Sequence, residues 1–590
     1  MRYHALACDY DGTLAHDGRV DAATVESLKT FLATGRRLIL VTGRELPELL
    51  RILPEIGLFE WVVAENGALL YRPSTSEERP LGEAPSEAFI AALQAKGVAP
   101  MSVGRVIVAT WEPFETVVIE TIRDLSLELQ VIFNKGAVMI LPTGINKASG
   151  LSAALKEMSL SPHNVVGVGD AENDHALLRS CEFSCAVANA LPALKETADF
   201  VAARDHGAGV GELIERIVAD DLAGSESASS RYRLAFGREG EGDVAEVVTL
   251  PPYGHNILIY GPSASGKSTV ATRFVESLLD QKYQFCLIDP EGDYSGLENV
   301  TVFGGPKLVF SEEEVLRRLE DPAANVVVSL TGLPIPDRPP AFLSLLSKLL
   351  QLRARTGRPH WIVMDEAHHL LPADWEPPEG MLPEEIRNLM FITVHPELLS
   401  PTLLERINTV VAVGQGARGS LREFAQRQGL AVPSISSKEI DQERPELAAG
   451  EVWLWVPGEA GEPRRVRVDP CRTERLRHSR KYAEGELPPD RSFYFQGAEG
   501  RMNLRAQNLM LFLQIGEGVD DETWEFHLKQ GDYERWFRES IKDESLAASA
   551  ARVASLPGVD AAASRKLIRQ AVEESYTVPA SGVLPVPGAS

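Results

Sequence analysis

Short, almost wholly apolar runs recur along the first 480 residues: 5–8, 37–41, 165–168, 257–260, 285–288, 325–330, 361–364, 389–394 and 409–413. Runs this brief, apolar at successive positions, have the signature of strands buried on both faces. Longer stretches with helical spacing, such as 340–355, lie between them. Strands that alternate with helices predict parallel, doubly wound sheets, so the chain reads as α/β. The pattern changes twice. Residues 72–142 hold a Pro-, Ser- and Glu-rich entry loop (73–85), an amphipathic stretch (86–96), short strands at 105–109 and 130–133, and a helix at 115–125, which together predict an inserted α/β lid. Beyond Gly485, Leu504, Asn508, Leu509, Leu511, Phe512 and Ile515 make an apolar stripe that Trp524, Phe526, Leu528, Tyr533, Trp536, Phe537 and Ile541 continue, which predicts a small helical module.

The residues that end these runs carry the chemistry. After 257–260 comes Gly261-Pro-Ser-Ala-Ser265-Gly266-Lys267-Ser268-Thr269, a glycine-bounded loop opening onto an apolar helical pattern. Small residues let successive backbone N–H groups face a phosphate, and the next helix points its positive end at the same anion. Lys267 supplies charge for the β- and γ-phosphates and the Ser268 hydroxyl a ligand for Mg²⁺. Nearly a hundred residues on, the run 361–364 ends in Asp365-Glu366-Ala-His368. Two adjacent carboxylates at a strand end repel unless a cation lies between them. Asp365 is placed to hold that cation through water and Glu366 to polarise the attacking water, with Glu291 the alternative. Thr393 and His395 are candidates to sense the γ-phosphate.

The N-terminal runs deliver a different set to one sheet edge, the edge at which open α/β sheets bind ligands. Run 5–8 ends in Asp9-Tyr-Asp11-Gly12-Thr13-Leu14, with both carboxylates sent to the same side by alternation. Run 37–41 ends in Thr42-Gly43-Arg44. Asn146-Lys147 precedes a helix, and run 165–168 leads into Gly169-Asp170-Ala-Glu172-Asn173-Asp174.

These four motifs, in this order, resemble the signatures of the haloacid dehalogenase superfamily of phosphatases, and Glu65-Asn66-Gly67-Ala68 resembles its Cof-type, sucrose-phosphatase-like branch. The resemblance implies that Asp9 is the nucleophile that forms an aspartyl-phosphate and Asp11 the general acid and base. It implies that Thr42 binds a phosphoryl oxygen and Lys147 neutralises developing charge. Asp9, the Asp11 carbonyl and Asp170 would hold Mg²⁺, supported by Asp174 and Asn173. Residues 231–480, with Ile-Asp-Pro-Glu-Gly-Asp-Tyr at 288–294 and the Asp365-Glu366 strand, resemble the HerA and FtsK class of P-loop ATPases. That resemblance implies ring assembly and an arginine lent by a neighbouring subunit, for which Arg406, Arg418 and Arg422 are candidates.

At 590 residues the chain is too long for one core. Five cysteines at no metal-binding or disulfide spacing predict reduced core thiols. The sequence has no apolar run of the roughly 20 residues a membrane span needs, and no secretory leader, so a cytoplasmic protein is expected. A net charge of −25 disfavours a surface coated with nucleic acid, and the one dense basic run, 464–481, is interrupted by acids and lacks stacking aromatics.

The expected layout is a phosphatase at 1–217 (core 1–71 and 143–217, cap 72–142), a linker at 218–230, a RecA-like P-loop ATPase at 231–480, a helical module at 481–576 and a loose tail at 577–590. The expected function is Mg²⁺-dependent hydrolysis of a small, sugar-type phosphate ester, fused to an ATP-hydrolysing domain. The alternatives are a ring-forming nucleic-acid ATPase whose phosphatase trims strand ends, and an assembly switched by ATP.

Overall fold

The computed structural model describes residues 1–223, 231–240, 245–262, 265–376, 386–430, 447–457, 462–473, 487, 489–497, 502–541, 543–556 and 558–576. Most of the expected linker, the tail 577–590 and residues 474–481 of the basic run lie outside them. The chain forms two compact units, residues 1–290 with 299–472 and residues 291–298 with 473–590.

The first unit contains two large sheets and a smaller one. In the N-terminal sheet the spatial order is Phe200–Val201, Phe183–Ala186, Val165–Gly169, Ala5–Cys8, Arg37–Val41, Trp61–Ala64, Leu69–Arg72 and Glu77–Pro80, with the first six parallel. Ala5–Cys8 runs in register with both neighbours, so the residues after those strands emerge side by side. Leu6, Cys8, Leu38 and Leu40 pack on one face, Ala5, Ala7, Ile39 and Val41 on the other. Both faces are covered, which is why these strands show no polar alternation. The last strand falls inside what the sequence suggested was a loop. It folds back on Leu69–Arg72 as an edge of glutamate, arginine and proline, residues that keep an edge from pairing further.

The inserted lid is a four-stranded antiparallel sheet, ordered Ser102–Val103, Val108–Trp111, Ala137–Pro142, Leu129–Asn134. Alternation divides its faces. Val138 and Ile140 pack with Phe89, Leu93 and Val118 of its two helices, while Met139 and Leu141 pack with Ala68, Val106 and Ile107.

The other large sheet has eleven strands. Seven parallel ones run Thr409–Val413, Asn256–Tyr260, Leu389–Thr393, Trp361–Met364, Phe285–Asp289, Val326–Ser329 and Thr301–Phe303. Four antiparallel strands extend the first of these: Glu451–Trp455, Arg464–Val468, Leu234–Glu239 and Glu246–Leu250. The start of the basic run is therefore a sheet strand whose arginines are answered locally. Arg464 pairs with Glu239, and Arg465 and Arg467 with Glu451.

The two parallel sheets meet at their N-terminal edges. Arg2, His163 and Glu182 stand just before strands of the first sheet; Tyr253, Tyr283 and His360 stand just before strands of the second. These six residues form one junction, in which His163, Glu182, Tyr283 and His360 are buried and Arg2 and Tyr253 half-buried. The Tyr283 hydroxyl donates to Glu182 at 2.8 Å, His163 Nδ1 lies 2.6 Å from Glu182, and His163 Nε2 lies 2.8 Å from the Gln281 carbonyl. Arg2 donates to Glu182 at 2.6 Å and lies over the Tyr253 ring. Beside them Arg358, fully buried, donates to the Ser159, Leu319 and Glu320 carbonyls and to Gln284. Because the N-terminal edges abut, the C-terminal edges face away from each other. At ~3.3 Å per strand residue each C-terminal edge lies about 13–17 Å of strand beyond the junction.

The second unit opens with a correction. Leu504 lies in a strand, Leu504–Ala506, paired with Phe493–Phe495, and Asn508 caps the first helix by accepting from the Leu511 amide. An asparagine directly before an apolar helical turn is an N-cap signal, and it outranks the apparent stripe. Helices then follow from Leu509 to Tyr576 around a core that includes Phe493, Phe495, Phe512, Trp524, Tyr533 and Trp536.

Candidate active sites

At the C-terminal edge of the first sheet Asp9, Asp170 and Asp174 converge, with carboxylate oxygens all within 4.8 Å of one another and every side chain buried. Each is placed by a separate feature. Asp9 ends the central strand, Asp170 follows the adjacent parallel strand, and Asp174 is held four residues further on by accepting the Asp170 and Ala171 amides. Lys147 opens the helix Lys147–Glu157, which Asn146 caps by accepting from Ala148 and Ser149. Its ammonium lies 2.5 Å from Asp9 and 2.6 Å from Asp174, with the side chain 2% exposed. Burial, then the Asp174 charge, push the Asp9 carboxyl well above the usual carboxylate range. Burial also works against the Lys147 charge, but Asp174 and Asp9 outweigh it and raise its pKa. The oxygen-only donor set fits a hard divalent cation such as Mg²⁺, and two ammonium groups, Lys147 and Lys135, already lean on it.

The other expected residues line the same edge. Thr42 is fully buried and accepts from the Arg44 amide; Asn173 donates to Asn66 at 2.9 Å. The Asp11 carboxylate stands outside the acidic triad. Arg44 grips it through two bonds of 2.7 and 2.6 Å and also pairs with Glu48. Any role for Asp11 at a cation therefore falls to its carbonyl.

Two residues had no role in the sequence reading. Glu65, fully buried, accepts the amides of Arg105, Val106 and Ile107 at 2.8 to 3.0 Å, and so ties the lid's chain to the core. Glu65 and Asn66 both have positive φ (52° and 53°), an uncommon conformation for residues with a side chain. Lys135 sits at the turn joining the lid strands Leu129–Asn134 and Ala137–Pro142, and its ammonium donates to Asp170 at 2.6 Å. The signal for Lys135 was present as Asn134-Lys135-Gly136, a hairpin turn sequence.

At the C-terminal edge of the second sheet, Gly266 (φ 100°) turns the chain into the helix Lys267–Asp280. Lys267 and Ser268 are buried, Thr269 is exposed, and Lys267 Nζ lies 3.0 Å from the Pro262 carbonyl. Gly261 packs so closely on the Val413 carbonyl that a side chain there would collide with it. The Ser265 hydroxyl is buried without a hydrogen-bond partner among the described residues. A loop of small residues at a helix N-terminus, with an orphaned hydroxyl, fits a nucleotide's phosphates. Two strands away Asp365 and Glu366 are both buried. Glu366 takes a left-handed backbone, φ 42°. His368 Nδ1 lies 3.0 Å from the Thr393 hydroxyl and 3.6 Å from Glu366, so the residue expected to sense phosphate touches the one expected to polarise water through a histidine. His395 donates its amide to Thr393. Arg418 lies over the Trp453 ring.

Residues 6–105 and 106–214 match the family described as haloacid dehalogenase-like hydrolase, and residues 236–392 match the AAA ATPase domain. A phosphoglycolate phosphatase of Methanothermobacter thermautotrophicus is 33% identical over 224 residues, 36% of this chain and 98% of that protein. The chain belongs to the haloacid dehalogenase-like hydrolases. Phosphoglycolate phosphatase 2 of Saccharolobus solfataricus is 29% identical, over 37% of this chain and 93% of its own length. A haloacid dehalogenase-like hydrolase from Bacteroides thetaiotaomicron, solved by crystallography, aligns over 36% of this chain and 99% of its own, at 19% identity and a TM-score of 0.33. This haloacid dehalogenase-like hydrolase thus joins a phosphatase-type domain to a second domain that matches the AAA ATPase domain over residues 236–392. Among the described residues no helix is long and apolar enough to cross a membrane.

Proposed function

We propose that the N-terminal half hydrolyses a small phosphate monoester through an aspartyl-phosphate on Asp9, and that the second half hydrolyses ATP as a separate activity in the cytoplasm. The observation that carries the first part is the Lys147 ammonium held between Asp9 and Asp174, with Asp170 completing a buried acidic triad. Asp9, Asp170 and the Asp11 carbonyl would hold Mg²⁺, with Asp174 in support, and the ion would offset phosphoryl charge. Asp9 Oδ forms a bond to phosphorus while the ester P–O bond breaks, and the leaving oxygen takes a proton from Asp11. Water then attacks the aspartyl-phosphate, Asp11 takes its proton, and phosphate and free Asp9 result. Arg44 keeps Asp11 at the rim for both transfers. Thr42 and Lys147 bind the phosphoryl oxygens. The sequence resemblance favours a sugar-type ester; the relatives named phosphoglycolate phosphatases favour a short ester with a carboxylate.

In the second half Lys267, Ser268 and the Gly261–Gly266 turn would hold the nucleotide, Asp365 its Mg²⁺, and Glu366 the attacking water. The nucleic-acid reading, with its HerA- and FtsK-like ring, loses ground because Arg464, Arg465, Arg467 and Arg472 are each paired with acids of their own domain.

The test is Asp9→Asn in the full chain with Mg²⁺. Phosphatase turnover is expected to fall by roughly 10³-fold or more while ATP hydrolysis persists. Phosphatase turnover that survives the substitution overturns the mechanism.

A further inference from the structure

The cations at the phosphatase edge are not equivalent. Lys147 is held by two buried carboxylates and Arg44 by Asp11 and Glu48. Lys135 belongs to the lid, its side chain is 48% exposed, and the hydrogen bond described for it goes to Asp170. Asp170 is the carboxylate that a divalent cation would engage, and Thr13 already donates to its other oxygen at 3.0 Å. A cation held by the triad would compete for the partner of Lys135 and make its ammonium available to a ligand in the site.

That ammonium is also well located. A side-chain carbon built on Gly12 would come within 2.8 Å of Lys135 Nζ and 2.3 Å of the Asp170 carboxylate. The charge thus overhangs the backbone between Asp11, which serves the leaving oxygen, and the acidic triad. Its place is fixed from both sides. The turn itself is tight, with φ 48° at Lys135 and 85° at Gly136, and the hairpin's Met139 rests on Gly43. The lid carrying the hairpin is anchored by Glu65, which accepts three of its amides. An ammonium facing the leaving-group side of a phosphoryl site, with a cation competing for its protein partner, calls for an anion on the substrate.

We propose that Lys135 is a specificity-determining residue that selects phosphate monoesters whose leaving group carries a carboxylate one or two carbons from the ester oxygen. This rests on the phosphatase reading above and adds the substrate class and the residue that reads it. Removing a charge-assisted hydrogen bond to a carboxylate lowers discrimination by about tenfold to a hundredfold.

The experiment compares the full chain with its Lys135→Ala and Lys135→Arg variants on 2-phosphoglycolate and ethyl phosphate, which differ in the carboxylate. A second arm measures the binding of both esters with Mg²⁺ by calorimetry on Asp9→Asn and on Asp9→Asn with Lys135→Ala, where turnover is blocked. Lys135 is a half-exposed turn residue, so folding tolerates both changes. The expected result is a preference for 2-phosphoglycolate in kcat/KM that collapses by at least tenfold in Lys135→Ala, chiefly through KM, and is partly kept in Lys135→Arg. The binding ratio should fall in parallel. Equal losses on the two esters would make the Lys135–Asp170 pair only a latch for the lid and overturn the proposal. If the unaltered chain hydrolysed other phosphate monoesters, sugar phosphates among them, but not 2-phosphoglycolate, this proposal would fall with the phosphatase reading intact; if it hydrolysed none, the phosphatase reading would fall, and the binding arm would still decide whether Lys135 reads the carboxylate.

Discussion

The two candidate edges of this protein are built from the same strand-end logic and differ in the groups that meet their buried acids. At the phosphatase edge every buried acid has a matched cation or amide: Asp9 and Asp174 share Lys147, Asp170 takes Lys135 and Thr13, and Glu65 takes three backbone N–H groups. At the ATPase edge Glu366, with a left-handed backbone, donates its amide to Asp365 at 3.0 Å and lies 3.6 Å from His368, which in turn meets the Thr393 hydroxyl. A compensated site holds its geometry before substrate arrives. Positive φ occurs at both edges, at Glu65 and Asn66 in the first and at Glu366 in the second, so the contrast lies in what meets the acids: an ammonium shared by two carboxylates in one, a histidine between an acid and a hydroxyl in the other. Each candidate site lies at the end of its sheet away from the junction where the two sheets meet, so the two are set apart in the fold.

The largest effect that would test this separation is Lys267→Ala. ATP hydrolysis should fall by roughly 10²- to 10³-fold, since the substitution removes a positioned charge from the developing phosphate, while turnover of the ester should change less than about twofold. Parallel assays on one preparation decide it. Equal losses in both activities would mean that the two edges share more than a scaffold.

The junction gives the next largest effect. Glu182 is buried among Arg2, His163 and the Tyr283 hydroxyl. Burial alone would raise its pKa, but His163, Arg2 and Tyr283 hold it below the usual carboxylate range. Removing one member of a buried charged network leaves the others uncompensated, so Glu182→Ala should cost about 3–5 kcal/mol. Calorimetry should show one unfolding transition dividing into two as the halves come apart, a division that Asp9→Asn does not produce. A single lowered transition would mean that the halves are held by other contacts.

These contrasts were unevenly legible in the sequence. The strands that lead into Asp9, Thr42, Asp170, Gly261 and Asp365 were readable because continuous apolar runs report strands buried on both faces, and acids or glycines at their ends report the ligand edge. The lid's β and α elements were readable in outline as well. What escaped was set by distant partners. Glu65 stood in a recognised motif, but its task is to bond amides some 40 residues away. Lys135 looked like an ordinary turn lysine until the lid folded over Asp170. The junction was invisible for the same reason: Arg2, His163, Tyr283 and His360 are unremarkable one by one, and only the topology brings them together. In the last unit, the aromatic residues dominated the reading and hid the short ribbon Phe493–Phe495 with Leu504–Ala506.

The smallest effect concerns pH, and it sets the second sheet and its junction against the acid-rich phosphatase edge. His255 and His368 have pKa values pushed down to about 4, in each case chiefly by burial; for His368 the neighbouring His369, His395 and Lys267 add to it. His360 at the junction is depressed further, again chiefly by burial. All three are neutral in the folded chain and take up protons near pH 6.5 once unfolded. Between about pH 6.5 and 4 the unfolded state therefore binds more protons, and stability falls as the pH falls. Melting temperature measured from pH 7.5 to 5 should drop, and His368→Asn, which keeps a polar group beside Thr393, should flatten part of that drop while leaving the Glu182-dependent transition in place. A flat profile for the unaltered chain across this range would mean that these rings are protonated in the fold, and the link from Thr393 through His368 to Glu366 would then be an ion pair rather than a neutral relay.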